Sequence, residues 1–199
     1  GYQGGVGALK AMGALDMGVP EDELQGLIDG WRNANPKIVN FWYQTQDAVR
    51  NCLDAGGVWS GPKGLKFYKK SGFLLVKLPS GRKLAYAKAH LAPGNYGPAI
   101  HYEGQGDKAG FTKLETYGGK LVENIVQATA RDILGEAMLR LDEAGYPIVF
   151  HIHDEVVAEV PDGQGSIDEM NRLLAVAPDW CQDLPLKGAG FESNFYMKD

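Results

Sequence analysis

The stretch Ile148-Val-Phe-His-Ile-His-Asp-Glu-Val-Val157 decides how the second half of the chain folds. Two short apolar runs, rich in β-branched residues, flank the polar triplet His153-Asp-Glu155, and this pattern predicts a hairpin with the acids at its tip. Adjacent carboxylates at a tight turn repel each other unless a cation or a hydrogen-bond donor neutralises them. Carboxylate oxygens are hard ligands that suit Mg²⁺, so Asp154 and Glu155 are candidate metal ligands. A solvated acidic turn is the alternative.

Upstream of this hairpin, residues 114–144 predict the longest helix of the chain, ended by Gly145 and Pro147. Four long polar residues share one face of that helix, at spacings i, i+4, i+7 and i+11: Lys120, Asn124, Gln127 and Arg131. Such a row of donors is suited to the minor groove, whose acceptors look nearly alike for every base pair. The four residues are therefore candidate DNA contacts, and a solvent-facing polar stripe is the alternative.

The rest of the chain alternates between helical and strand patterns. Further helices are predicted from Pro20, from Asn35-Pro36 to Gly56, and from the capping box Ser166-x-x-Glu169 to about residue 175. Residues 73–78 and 82–86 predict a second hairpin, residues 92–110 a loop and residues 187–196 a final strand. The order of elements predicts an α+β fold around an antiparallel sheet.

Charge is segregated along the sequence. The net charge is -5, yet residues 56–102 contain no Asp or Glu and hold eight of the 20 basic residues. The remainder, with 12 basic against 25 acidic residues, carries -13. An acid-free basic block in an acidic protein is typical of a phosphate-facing surface, which makes Lys66, Lys69 and Lys70 candidate DNA contacts. A lysine-rich hairpin in solvent is the alternative.

Composition and cysteine spacing predict the cellular location of the protein. The apolar runs are too short to cross a bilayer, so no membrane partner is expected. The two cysteines lack disulfide-scaffold or metal-ligand spacing, and no leader pattern opens the sequence, so we expect a cytoplasmic protein. The glycine-rich opening, which lacks Met, is expected to lie inside a longer chain.

The motif Gln127-Ala-Thr-Ala-Arg-Asp-Ile-Leu134 lies 18 residues before His153-Asp-Glu155. This combination resembles the C-terminal half of the family A (DNA polymerase I-like) DNA polymerases. The phrase Glu115-Thr-Tyr-Gly-Gly-Lys-Leu-Val-Glu-Asn-Ile-Val-Gln127 is similar to bacteriophage and prophage members, and Gly1-Tyr-Gln-Gly-Gly-Val-Gly-Ala8 is similar to the end of motif B, on the fingers helix. The resemblance runs from residue 1 to about residue 160 and is weaker through the basic block.

The resemblance implies a role for each matching residue. Asp154 matches the motif C aspartate, which binds two catalytic Mg²⁺ ions together with a second aspartate from motif A. Glu155 matches the neighbouring acid, a weaker or water-mediated contributor. His153 matches a residue near the primer terminus, and Gln127 matches the glutamine that contacts the minor groove at the active site. The resemblance gives Arg131 no role. It also implies that the protein works in a bacterial host cell.

The sequence also departs from the family pattern. The motif A aspartate and the Arg and Lys of motif B, which hold the phosphates of the incoming dNTP, would precede Gly1. The tyrosine beside the templating base has no match at Tyr2, and Glu123 replaces a neutral donor four residues before Gln127. The chain is thus predicted to be a polymerase fragment. Residues 1–110 would form a fingers portion with a basic hairpin insertion, and residues 111–199 the C-terminal part of an antiparallel palm with packed helices.

The predicted function is template-directed nucleotidyl transfer on primer–template DNA with dNTP. Activity is expected only with the upstream half of the same polymerase, supplied in cis or in trans. A non-catalytic nucleic-acid-binding module is the main alternative. A weaker one is a metal-dependent hydrolase that uses His151, His153 and Asp154, although no third neutral ligand is evident.

Overall fold

The computed structural model describes residues 2–94, 97–106 and 110–197. The chain forms two compact units, Gly1–Val126 and Gln127–Asp199. The helices are α1 (Val6–Ala11), α2 (Leu24–Ala34), α3 (Pro36–Ala55), α4 (Gly118–Glu143) and α5 (Ile167–Leu174). The strands are β1 (Val58–Ser60), β2 (Lys66–Lys70), β3 (Phe73–Lys77), β4 (Lys83–Gly94), β5 (Gly97–Gln105), β6 (Phe111–Thr116), β7 (Ile148–Ile152) and β8 (Glu155–Ala158). The predicted α+β class with an antiparallel sheet is confirmed. Among the described helices, none has the length and apolarity needed to span a bilayer.

The first unit is built on a six-stranded antiparallel sheet in which β1 to β6 follow one another in chain order. One face of β2, β3 and β4 is apolar, and its side chains are buried: Phe67, Leu74, Val76 and Tyr86. α3 contacts β1, β2 and β4, and its own buried residues are Trp42, Thr45, Ala48, Val49 and Cys52. Cys52 is a fully buried core residue, and this burial raises the pKa of its thiol. The helix begins at Pro36, which occupies a first-turn position where its missing N–H costs nothing.

The prediction of a loop over residues 92–110 is wrong. β4 and β5 together reach into this range and pair antiparallel, with Pro93 facing Pro98 and Gly94 facing Gly97. The glycines and prolines that suggest a loop therefore stand at the end of a long hairpin, where the ladder is about to stop. Residues 95–96 and 107–109, which also fall in the predicted loop, lie outside the described residues.

The predicted start of the longest helix is also wrong, because residues 114–116 belong to β6 and α4 begins at Gly118. Its first amides are capped by side chains from remote parts of the chain. Gly118 N donates to Gln46 Oε1 at 2.9 Å, and Gly119 N donates to Gln3 Oε1 at 2.8 Å. A Cβ at Gly118 would overlap the carbonyl of Trp42, so only glycine fits there.

The second unit contains the predicted hairpin, now β7 and β8, and the predicted last helix, now α5. The capping box is confirmed on one side, because Glu169 N donates to Ser166 Oγ at 3.2 Å. The Glu169 carboxylate instead accepts from the Tyr146 hydroxyl at 2.6 Å, and that hydroxyl accepts from Ser166 N at 3.0 Å. The bond to Glu169 raises the pKa of Tyr146. The hydroxyl of the buried Tyr146 thus bonds to both residues of the capping box, Ser166 and Glu169.

The prediction of a final strand over residues 187–196 is wrong, because this part of the chain is irregular. It is held by side-chain packing instead of ladder bonds. The Tyr196 ring meets Phe150 of β7 edge-on, with centroids 5.1 Å apart, and Gly188 lies directly against the backbone of Asn171 in α5. The β-branched residues that favour a strand are missing from this segment.

Tyr86 offers a test of the first unit's core. Its hydroxyl accepts from Asn124 Nδ2 at 3.0 Å, and burial raises the pKa of Tyr86 to about 12. Tyr86→Phe should therefore lower the free energy of unfolding at neutral pH by about 1 kcal/mol, because the half-buried Asn124 amide loses its acceptor.

The same substitution should also alter the stability at high pH. Between about pH 10 and 12 the folded state holds a proton that the unfolded chain has lost, so stability falls as the pH rises through this window. Tyr86→Phe should remove a part of that fall on the order of 2 kcal/mol. Urea titrations at pH 7, 9.5 and 11.5 measure both effects. Tyr43→Phe, which removes an exposed hydroxyl, is the control at pH 7, and an equal loss there would contradict the assignment.

Candidate active site and nucleic-acid interface

The tip of the β7–β8 hairpin is a two-residue loop. Ile152 faces Glu155 in the ladder, which leaves His153 and Asp154 as the connecting residues. The predicted tip is therefore corrected by one residue, since Glu155 is the first residue of β8. His153 has a φ of 51°, in the left-handed region that side chains with a Cβ adopt only at a cost. Hairpins with two-residue loops need this backbone sign, usually from glycine or asparagine.

The loop directs its polar groups outward. His153 and Asp154 are exposed, and Glu155 is half-buried. Two carboxylates at such a loop are suited to Mg²⁺, which takes a small number of protein oxygens and keeps places for water and substrate. Within residues 2–94, 97–106 and 110–197, however, no group of three or more His, Cys, Asp or Glu side chains is placed to hold a metal ion. Asp154 and Glu155 therefore stand without a third possible ligand of these types among the described residues.

His151 is engaged with Arg131. Arg131 Nη2 lies 3.2 Å from His151 Nε2, and Arg131 Nη1 lies 3.9 Å from Met138 Sδ. A guanidinium group only donates, so this contact requires His151 Nε2 to be without a proton and to accept. A metal on that nitrogen would displace Arg131, which weighs against the hydrolase reading based on His151, His153 and Asp154.

The four polar residues predicted on the longest helix differ in their surroundings. Lys120 and Asn124 belong to the first unit, and Gln127 and Arg131 to the second. Lys120 and Gln127 are exposed. Asn124 is half-buried, and its Nδ2 donates to the Tyr86 hydroxyl. Arg131 donates to His151. Arg131 is also exposed, so Asn124 is the one member of the row that is partly buried.

The predicted basic contacts divide between the two faces of the sheet. Cross-strand partners and residues two apart share a face in a pleated sheet. Lys69 faces the buried Leu74, on the same side as Phe67, whereas Lys66 faces Lys77 on the other side. Lys70 shares the outer face with Lys66. All three lysines are exposed. Lys69 is exposed although it shares a face with the buried Phe67, and it lies near the end of its strand.

Sequence reasoning missed two arrangements. The bond from Tyr146 to Glu169 joins residues 23 apart, and no local pattern marks it. The row formed by Lys66, Lys77 and Lys83 is set by the strand register. Its signal was present in the two-residue turn at residues 71–72, which sets Lys70 opposite Phe73 and therefore Lys66 opposite Lys77.

Comparison with known proteins gives one informative relative. The chain is 48% identical over 201 aligned residues to a DNA polymerase of Bacillus phage SP02, and the alignment covers all of this chain and 31% of the phage protein. The chain thus spans about a third of the length of that relative. No family model matches the sequence. No solved structure matches it either.

The backbone of His153 can be tested by a series of substitutions at one position. His153→Gly should raise the free energy of unfolding by about 1 kcal/mol, because glycine adopts a positive φ without penalty. His153→Asn should lie between glycine and the parent, and the β-branched His153→Val should be the least stable. Urea unfolding of the four proteins measures the order. Equal stability of the valine and glycine variants would show that the loop does not need a positive φ.

Proposed function

We propose that this chain is part of a phage-type DNA polymerase related to family A, and that it supplies one of the two metal-binding aspartates of the nucleotidyl-transfer site. The observation that carries the proposal is similarity along the whole chain, at 48% identity, to a phage DNA polymerase. The geometry supports it, since the hairpin exposes Asp154 at its tip and holds Glu155 beside it.

In this proposal Asp154 and Glu155 are ligands for Mg²⁺. The metal ions, when bound, activate the primer 3′-hydroxyl and neutralise the charge that develops on the transferred phosphate. Asp154 is the principal ligand because it stands in the loop and is exposed. Glu155 is secondary because it is anchored in β8. The remaining ligands, including the motif A aspartate, come from a part of the polymerase upstream of residue 1.

The other residues position DNA. His153 stands next to Asp154 in the loop and is assigned to the primer terminus. Gln127, exposed on α4, is assigned to the minor groove of primer–template DNA, where its contacts carry little base identity. Arg131 is assigned a positioning role, because it orients His151 in β7. Residues 1–110 are proposed to belong to the fingers, and residues 111–199 to the palm.

A second candidate is a nucleic-acid-binding module without catalysis. The observation that favours it is the cationic outer face of the sheet, which lies in the first unit and does not depend on the acidic hairpin. The two candidates are separated by activity, because a binding module would restore no nucleotide incorporation to an upstream polymerase segment.

The first test is activity of the isolated chain. With part of the ligand set missing, the 199-residue protein should extend a primer no faster than a blank, since incomplete two-metal sites lose most of their rate acceleration. Addition of the upstream part, in one chain or as a partner, should restore incorporation of labelled dNTP in Mg²⁺. Robust incorporation by the 199-residue protein alone would refute the partial-site proposal.

The second test ranks the two acids. In the reconstituted enzyme Asp154→Asn should lower kcat by several orders of magnitude, whereas Glu155→Gln should cost much less. Asp162→Asn is the matched control, since it makes the same chemical change at an exposed site of the same unit. Single-turnover incorporation rates give the comparison. Equal losses at Asp154 and Glu155 would show that the ligand roles are assigned wrongly, and an equal loss at Asp162 would deny that the site is specific.

A further inference from the structure

Three lysines form a continuous row across the outer face of the six-stranded sheet. Lys66 of β2 faces Lys77 of β3, and Lys77 faces Lys83 of β4. Directly opposed residues in an antiparallel pair hold their Cβ atoms roughly 4.5–5.5 Å apart, and like charges in that position destabilise the sheet. We call this row the lysine ladder. Its central member, Lys77, is repelled from both sides.

The charge of the ladder is not neutralised where the structure is described. Ion pairs within residues 2–94, 97–106 and 110–197 involve none of the three ladder lysines. The acids nearest along the sheet are Glu103 on β5, which pairs with Lys88 at 2.8 Å, and Glu115 on β6. The cationic part of the face therefore covers β2 to β4 and ends where the acids begin.

Next to the ladder lies an apolar row. Two residues along each strand, Tyr68 faces Leu75, and Leu75 faces Ala85. Two residues further along each strand, Lys70 faces Phe73, which is 42% exposed, and Phe73 faces Ala87. The short side chains of Ala85 and Ala87 leave the β4 part of this surface flat. The face thus combines a charged row with a shallow aromatic surface, in which Tyr68 lies about 6.6 Å and Phe73 about 13 Å from the ladder along the strands.

The opposite face of the same strands is closed to any ligand. Phe67, Leu74 and Val76 are fully buried, and α3 packs against that side. The period of two in each strand then places Lys66, Lys77 and Lys83 on the solvent side. Their arrangement follows from the same register that builds the core.

We propose that the outer face of β2–β4 binds single-stranded DNA, with the lysine ladder on its phosphates and Tyr68 and Phe73 against its bases. Single strands suit this face because their bases are free to stack on aromatic rings, whereas in a duplex the bases are stacked inside. Phosphates supply the negative charge that β2–β4 lack. The proposal rests on the proposed function and deepens it by assigning the unpaired template strand to the first unit, whereas the acidic hairpin belongs to the second.

The test is a salt titration of binding to a labelled single-stranded oligonucleotide by the 199-residue chain. The triple variant Lys66→Gln, Lys77→Gln, Lys83→Gln should flatten the plot of log affinity against log salt by about 2, since each phosphate contact on a single strand contributes about 0.7. The matched control Lys37→Gln, Lys63→Gln, Lys187→Gln removes the same charge at three exposed positions off the ladder and should keep the parent slope. An unchanged slope in the ladder variant, or an equal change in the control, would overturn the proposal.

A second variant separates stacking from charge. Phe73→Leu keeps the position apolar and should lower affinity for the single strand about tenfold at fixed salt, with the slope unchanged. Affinity for a duplex of the same length should change little. A loss on the duplex as large as on the single strand would overturn the single-strand assignment, and so would ladder-dependent binding to anionic lipid vesicles without binding to the oligonucleotide.

Unfolding cannot imitate the expected result, because removal of mutual repulsion should leave the ladder variant at least as stable as the parent in urea. The outcome is also distinguishable from failure of the proposed function. Extension by the reconstituted enzyme with an unchanged salt slope would reject only the lysine ladder. A flattened slope without any extension would reject only the polymerase assignment.

Discussion

Burial of one face of β2–β4 beneath α3 is the constraint on which the arrangement of the first unit depends. Phe67, Leu74 and Val76 are buried completely, and side chains of this kind each stabilise a fold by roughly 1.5–3 kcal/mol when removed from water. A slip of one residue in the register would expose them and turn Lys66 and Lys77 into the core, where an unpaired ammonium costs several kcal/mol. The register is therefore firmly set, and with it the position of every charge on the outer face.

Helix α4 depends on contacts that differ between its two halves. In the first unit its initial amides are capped by Gln46 and Gln3, and Asn124 bonds to Tyr86. In the second unit Glu136 accepts from Trp180 Nε1 at 2.6 Å, and Arg140 donates to the carbonyls of Leu173 and Val176. Polar side chains of this helix thus serve as structural anchors at several positions. A stripe of donors at helical spacing is consequently a weak guide to which residues are free to contact DNA.

The sequence predicted those features that local patterns determine. The strand at residues 73–77, the Ser166 side of the capping box and the hairpin around His153-Asp154 all rest on neighbours within a few residues, and each was found, the hairpin tip being shorter by one residue than predicted. The strands around Pro93 and Pro98 were missed because pairing between β4 and β5 outweighs the local glycine and proline content, which favours a loop. The start of α4 was missed because its caps, Gln46 and Gln3, are 72 and 116 residues away. The predicted roles of Asp154, Glu155, His153 and Gln127 rest on resemblance and stay predictions, since the described residues complete no metal site.

Costs to local stability occur at several described positions, since Gln3, Lys63, Ser71 and Lys88 share a positive φ with His153. Two of these costs fall at surfaces proposed to bind DNA, one in each unit. His153 holds a backbone conformation that costs a non-glycine residue on the order of 1–2 kcal/mol, and the lysine ladder places like charges in direct opposition. Glycine at the first site, or glutamine at the second, would relieve each cost without disturbing the core. Sequences agree with their fold at most levels, and the violations that persist are found at functional sites or at strained turns. In the proposal, a primer terminus beside His153 and phosphates on the ladder would compensate these costs, because each interaction forms only when DNA is bound. The cost in the free protein therefore supports the proposal that both surfaces bind DNA, although a positive φ by itself, which four other described residues share, does not mark a ligand site.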